Sequence, residues 1–344
     1  MMRILLVVIV FLFLGCIDEL DVTTERVLRV LVVEGSINTN PGPHYVRLSK
    51  SAKYGSIFED FSKKVNSALV RIRDEKGNQV ILEEVESGVY ATPATFSANV
   101  GSEYTLIVES NSEQYISLPE KVMPAAPIQS LRVEQKKLAS NSEVVFDIGA
   151  EVYVEFEDPG DEQNFYLFKN RGTYFVETNP ELYVMVTAFG NVAAPKDCCD
   201  KCWITEEGGD PEVRITSDDL FNGNQTSQLA GFIKDDGKRF TDKYLVTVEQ
   251  HSLTKEAFRF FQVLESQLSI SGNLFDPPPA TLRGNVINVV EPESPVIGYF
   301  YASDVSADSV FLDASLVEGS LADFRLDDDC LTLENSSTQR PSFW

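Results

Sequence analysis

Hydrophobic and polar positions alternate in short runs along most of the chain, the period-2 signature of half-buried strands. Residues 26–37, RVLRVLVVEGSI, are rich in β-branched side chains and predict a first strand; residues 44–49 alternate as a second. Residues 65–73, the turn at 74–78 and residues 79–85 together predict a hairpin. Further short strands start at Gly88 and Gly101. Six or seven strands within about 100 residues predict an immunoglobulin-like β-sandwich over 22–120. Residues 118–127, LPEKVMPAAP, carry three prolines and predict a domain junction, because proline stiffens the chain and donates nothing to a ladder.

Beyond the junction the pattern predicts a larger β-rich domain over 128–334. Strands are expected at 128–134 and 144–156, then a turn at Asp158-Pro159-Gly160-Asp161. Residues 164–169 and 173–176 read as a strand pair, and 181–189 continue the β pattern. Asp235-Asp236-Gly237 is a hairpin signal before a strand at 244–249. One segment breaks the period. Thr254 can cap a helix with Glu256 in its first turn, and Ala257, Phe260, Phe261, Leu264 and Leu268 recur on one face. An amphipathic helix over about 254–269 follows, laid on a sheet. Residues 286–290 and 296–302 read as the last strands. The tail, 335–344, reads as loosely ordered, with Phe343-Trp344 able to dock. The fold class is therefore mainly β.

Length and charge add two constraints. A chain of 344 residues is longer than one core usually serves, so two domains are expected. A hydrophobic share of 43% is enough for packed cores. The net charge of −24 repels phosphate backbones and argues against nucleic acid as a partner.

The first sixteen residues, MMRILLVVIVFLFLGC, read as a lipoprotein signal peptide. Arg3 supplies the positive end, and the apolar run from Ile4 to Leu14 is shorter than the roughly 20 residues a membrane span needs. Leu14-Gly15-Cys16 resembles a lipobox, although Phe13 replaces the usual aliphatic residue. Cleavage before Cys16 and acylation of its thiol and amine would tether the chain to a membrane. The acidic residues behind it, in Ile17-Asp18-Glu19-Leu20-Asp21, resemble the surface-export signal of Bacteroidota lipoproteins. The expected location is the outer membrane, facing outward.

Four further cysteines remain: Cys198, Cys199, Cys202 and Cys330. Outside the cytoplasm an even set favours disulfides. Three pairings exist, and adjacent cysteines rarely pair without strain. The sequence therefore favours Cys198 with Cys202 and Cys199 with Cys330, or Cys199 with Cys202 and Cys198 with Cys330. A four-thiolate zinc site is the competing reading, weakened because the fourth thiol stands alone.

Catalytic signals are missing from the sequence. It contains no G-x-S-x-G, H-E-x-x-H, P-loop or G-x-G-x-x-G motif, so no cofactor and no catalytic residue is assigned. Its two histidines, His44 and His251, fall outside any catalytic or ligand motif and are expected to be structural or superficial. Asp327-Asp328-Asp329 lacks the spacing of a calcium loop and reads as a solvated acidic turn. Asp308-Ser309-Val310 matches a short glycosylation pattern. Phe275, Pro277, Pro278 and Pro279 are binding candidates, since a stiff proline run loses little freedom when recognised.

Several motifs carry a family likeness: Val32-Val33-Glu34-Gly35, the Cys-Cys-x-x-Cys-Trp string at 198–203, residues 272–280 (GNLFDPPPA), Gly284-Asn285-Val286, and residues 298–303 (GYFYAS). With the lipobox, these resemble Bacteroidota outer-membrane lipoproteins of the family numbered four-two-four-nine among domains of unknown function. The resemblance implies a TonB-dependent β-barrel receptor as partner. It also implies a non-catalytic role as an accessory or substrate-capture subunit. Two other readings stand beside it: an envelope hydrolase using paired carboxylates, and a structural or adhesive surface module.

Overall fold

The computed structural model describes residues 30–51, 62–139, 146–208, 213–268, 282–313 and 324–344. The protein is mainly β, arranged as two packed modules with a single α-helix among the described residues.

The first module uses β1 (Leu31–Asn38), β2 (Tyr45–Ser51), β3 (Ser62–Lys64), β4 (Leu69–Asp74), β5 (Gln79–Glu86), β6 (Val89–Ala91), β7 (Glu103–Ser110), β8 (Glu113–Ser117) and β9 (Glu120–Lys121). The second begins with β10 (Ile128–Ala139), β11 (Phe146–Glu157), β12 (Phe165–Glu177), β13 (Val184–Thr187) and β14 (Gly190–Ala193). It continues through β15 (Lys201–Glu207), β16 (Arg214–Ser217), β17 (Gln225–Lys234), β18 (Lys243–Ser252) and the helix α1 (Lys255–Leu268). β19 (Val286–Asn288), β20 (Val296–Ser303), β21 (Val305–Asp313) and β22 (Ser336–Ser337) follow.

In the first module one ladder runs β19-β8-β7-β4-β5-β6-β2-β1-β20. β5 pairs with β4 through its first half and with β6 through its second, so the ladder turns a corner and closes over a core. The alternation of β1 sends Leu31, Val33 and Ile37 inward, against Val46, Leu48, Val70, Ile72, Leu106 and Val108. This is the sandwich-like arrangement expected from the sequence, with one difference. Residues 286–288 and 296–303 do not end the second domain. They form both edges of the first sheet, β19 beside β8 and β20 parallel to β1. A parallel partner far along the chain leaves no local hairpin signal, so periodicity could not place it.

The second module packs β10-β11-β17 against a sheet ordered β21-β18-β12-β15-β22, with β16 also on β12. Ala150, Val152, Val154 and Phe156 of β11 meet Tyr166, Phe168, Tyr174 and Val176 of β12 in its core. β12 is one strand of 13 residues where the sequence suggested two. Gly172 falls in the interval between those two, and the Tyr244 ring lies where a side chain there would go. Asp235-Asp236-Gly237 makes no hairpin either: β17 pairs with β11 and β18 with β12, so the connection switches sheets. The tail is ordered. β22 pairs with β15, and the Trp344 ring meets Phe311 at 5.5 Å with the Lys243 ammonium 4.8 Å from its centre.

The cysteines pair differently from either favoured arrangement. Cys202 bonds Cys330, with Cα atoms 5.9 Å apart, and Cys198 bonds its neighbour Cys199. Cys202 lies inside β15, whose alternation points it into the core where Cys330 is also fully buried. Held there, its sulfur cannot turn back to the loop carrying Cys198 and Cys199.

The proline-rich junction is tied down. The Ala125 amide donates to Asp304 at 2.9 Å, Gln250 donates to the Ala126 carbonyl at 2.9 Å, and the Ile128 amide donates to Ser306 at 2.9 Å. Asp304, between β20 and β21, also accepts from Thr39 at 2.6 Å. One continuous stretch, 296–313, thus serves both modules.

Candidate functional site

The motifs that are scattered in sequence meet at the seam between the modules. Gly298 lies opposite Val33 in parallel register at φ +98°, and a Cβ there would overlap the Val33 carbonyl. A Cβ on Gly284 would overlap the Gly298 carbonyl in turn. Only glycine permits three backbone segments to stack this closely. Asn285 then acts as an extra strand residue. Its Nδ2 donates to the Phe300 carbonyl at 2.7 Å and its Oδ1 accepts from the Phe300 amide at 3.0 Å.

The same Asn285 amide reaches Glu120 at 3.2 Å. Glu120 is 2% exposed and also accepts from the Tyr299 hydroxyl at 2.5 Å and from Thr254 at 2.8 Å. Thr254 in turn accepts from the Ala257 amide at 3.2 Å, which is the helix cap that the sequence predicted. One carboxyl group thereby joins the junction, the helix start, β20 and the segment entering β19. Burial pushes it up to about 7, against the three hydrogen bonds that favour its charged form.

Beside this node lies an open cleft of about 440 Å³ between α1 and strands β1 and β20. β20 builds its wall by alternation: Phe300 and Ala302 enter the first core, while Tyr299 and Tyr301 face the helix. Phe260, Phe261 and Leu264 of α1, with Leu282, supply the opposite side. Leu268, expected on the same helix face, is exposed instead. Lys169 lines the cleft, as does Arg47, and the Lys169 ammonium lies 5.4 Å from the centre of the Tyr301 ring. Protein surrounds it, yet solvent reaches it because the hollow above is open. Tyr301, then Glu249 and Glu34, hold its ammonium above the usual lysine range despite the cost of desolvation. The Tyr301 hydroxyl is buried beside that ammonium. At the rim, Arg47 pairs with Glu34 at 3.8 Å. An apolar trough with a cation and a neighbouring hydroxyl suits a ligand with an apolar body and an anionic end.

Near the cleft, His251 lies between Ser303 and Glu249, at 2.9 Å from Ser303 Oγ and 3.3 Å from Glu249. The order acid–histidine–serine is that of a hydrolase triad, but Ser303 has no exposed surface and no substrate could reach it. Burial pushes the His251 imidazole below its usual value, and the same cause acts on His44, whose Nε2 lies 3.1 Å from the Asn40 carbonyl.

The acidic run lies at the surface, and its carboxylates are also paired. Asp327 meets Arg325 at 3.0 Å, Asp328 meets Lys196 at 2.5 Å, and Asp329 accepts from the Leu331 amide at 2.9 Å. Among the described residues, no group of three or more His, Cys, Asp or Glu side chains is placed to hold a metal ion. Of the residues singled out in the sequence, Cys16, Phe275, Pro277, Pro278 and Pro279 lie outside the described residues. The structure brings together three motifs, one of them holding Tyr301, and adds Glu120 and Lys169, which the sequence did not single out. Tyr301 had a signal, the aromatic alternation of Gly298-Tyr299-Phe300-Tyr301. Lys169 had none.

No curated protein matches the chain. The model of one family, described as a domain of unknown function (DUF4249), matches residues 17–309, a span that holds all three of the converging motifs and the cleft they build. The chain belongs to the DUF4249 family.

Proposed function

We propose that the protein is a non-catalytic capture subunit, lipid-anchored through Cys16 at the outer-membrane surface and partnered with a TonB-dependent β-barrel receptor. The observation that supports this reading is the cleft. It is walled by aromatic and aliphatic side chains, holds the Lys169 cation, and lies within the span that the family model matches. The chemistry on offer there is recognition: an apolar body in the trough and an anionic end on Lys169 and Tyr301.

The partnership is tested by recovering the protein from membranes in mild detergent and identifying what accompanies it by mass spectrometry. A TonB-dependent barrel is the expected companion, and its absence sinks the partnership. The cleft is tested separately with a fluorescent medium-chain carboxylate. Lys169→Met should weaken its binding roughly tenfold, the worth of one charge-assisted hydrogen bond of about 1.5 kcal/mol. Equal binding by both chains would remove the cleft from the function.

A further inference from the structure

Between β12 and β15 the chain forms a hairpin whose apolar side chains are left uncovered. Among the described residues, β13 and β14 pair only with each other, joined by Ala188-Phe189. The turn is closed by Thr187, whose hydroxyl donates to the Gly190 carbonyl at 2.7 Å and accepts from the Phe189 amide at 3.3 Å. Alternation puts Val184 and Val186 on one face, Met185 and Val192 on the other. All four are exposed, Val186 at 81%, and Phe189 at the tip is fully exposed. A lone two-stranded ribbon is marginally stable in water. This one is nevertheless fixed at its base. The Ala194 amide donates to the Tyr183 carbonyl at 3.0 Å, the Lys196 amide to the Pro180 carbonyl at 3.0 Å, and the Asn179 amide to the Leu326 carbonyl at 2.8 Å.

Charge narrows what could cover it. From Tyr183 to Pro195 there is no charged residue, in a chain of net charge −24. The acidic remainder is repelled by anionic headgroups, so this segment is the one suited to approach a lipid surface closely. A groove on a protein takes one face of a ribbon, whereas lipid accepts both faces and the tip together. At the base, Lys196, whose ammonium also meets Asp328 at 2.5 Å, sits 4.3 Å over the Tyr183 ring, a tyrosine–lysine pair of the kind that settles at headgroup level. Four residue pairs at roughly 3.4 Å per residue reach about 14 Å, less than half of a hydrocarbon core of about 30 Å. The bare ladder edges of β13 and β14 stop deep entry, because unpaired amides and carbonyls are costly in hydrocarbon.

We propose that the hairpin at 183–195 is a shallow membrane wedge. Phe189 and the valines enter the boundary between headgroups and acyl chains, and Tyr183 with Lys196 rests above them. This is independent of what the cleft binds.

The test uses the full mature chain carrying Cys16→Ser, so that no acyl tether contributes, and phosphatidylcholine vesicles in a sedimentation assay. The chain should sediment with them, and Val186→Asp with Phe189→Asp should lower its partition at least tenfold. Both side chains face solvent, and circular dichroism checks that the fold is kept. Replacing a fifth of the lipid with phosphatidylglycerol should reduce binding of the unsubstituted chain. A Phe189→Trp chain should show a blue-shifted emission increment on adding vesicles. Equal partition of the two chains, no partition of either, or an unshifted tryptophan overturns the proposal. The same holds if the aspartates instead strip away a co-purifying protein while vesicle binding is nil.

Discussion

Glu120 is the residue on which the seam depends most, and it makes the protein's stability depend on pH. Its carboxyl group titrates near 4.5 when unfolded and near 7 when folded. Between those values the folded chain holds more protons than the unfolded one, so raising the pH through this window destabilises the fold. The shift corresponds to about 3 kcal/mol. Chemical unfolding at pH 4.5 and pH 8 should therefore show a loss of that order in the native chain relative to Glu120→Gln. His44 and His251 act in the opposite direction, since buried neutral imidazoles favour the fold above their ordinary 6.5 and lose that advantage as pH falls. They cancel in the comparison with the glutamine variant. Nothing in residues 118–127 marks Glu120 as buried. Its environment comes from Tyr299, Asn285 and Thr254, more than 130 positions away.

At the scale of elements, local chemistry was legible and long-range pairing was not. The helix was legible because its cap, its first-turn acid and its apolar period all agree. β12 was cut in two at Asn170-Arg171-Gly172, where the apolar pattern lapses, yet the strand runs on and Tyr244 fills the space beside Gly172. The alternation of β20 was visible, but its use was not, since each of its faces serves a different core. Its glycine is constrained twice over, by space and by backbone angle. Gly298→Ala must place a Cβ on the Val33 carbonyl at a backbone angle that alanine resists, and should cost about 3 kcal/mol or more. Urea titration measures this directly. A loss under 1 kcal/mol would mean that β1 and β20 are not so closely stacked.

For the whole molecule, the sequence announced two β modules but not how they are joined. The disulfide from Cys202 to Cys330 spans 128 positions and restricts the unfolded chain far more than the Cys198–Cys199 bond between neighbours. Replacing Cys202 and Cys330 together by serine should lower stability by about 3–5 kcal/mol, and replacing Cys198 and Cys199 by less than about 1 kcal/mol. Thermal melts of the two double variants give the ranking. Non-reducing peptide mapping should recover the 202 and 330 peptides as one species.

The placement of β19 and β20 has a consequence for biogenesis. Until residue 303 has emerged, the first sheet lacks both of its outer strands, and β1 and β8 present bare backbone to their surroundings. Such edges invite pairing with other chains. A fragment cut at the proline junction would be an aggregation-prone torso, and the nascent protein carries the same open edges until its last third is delivered.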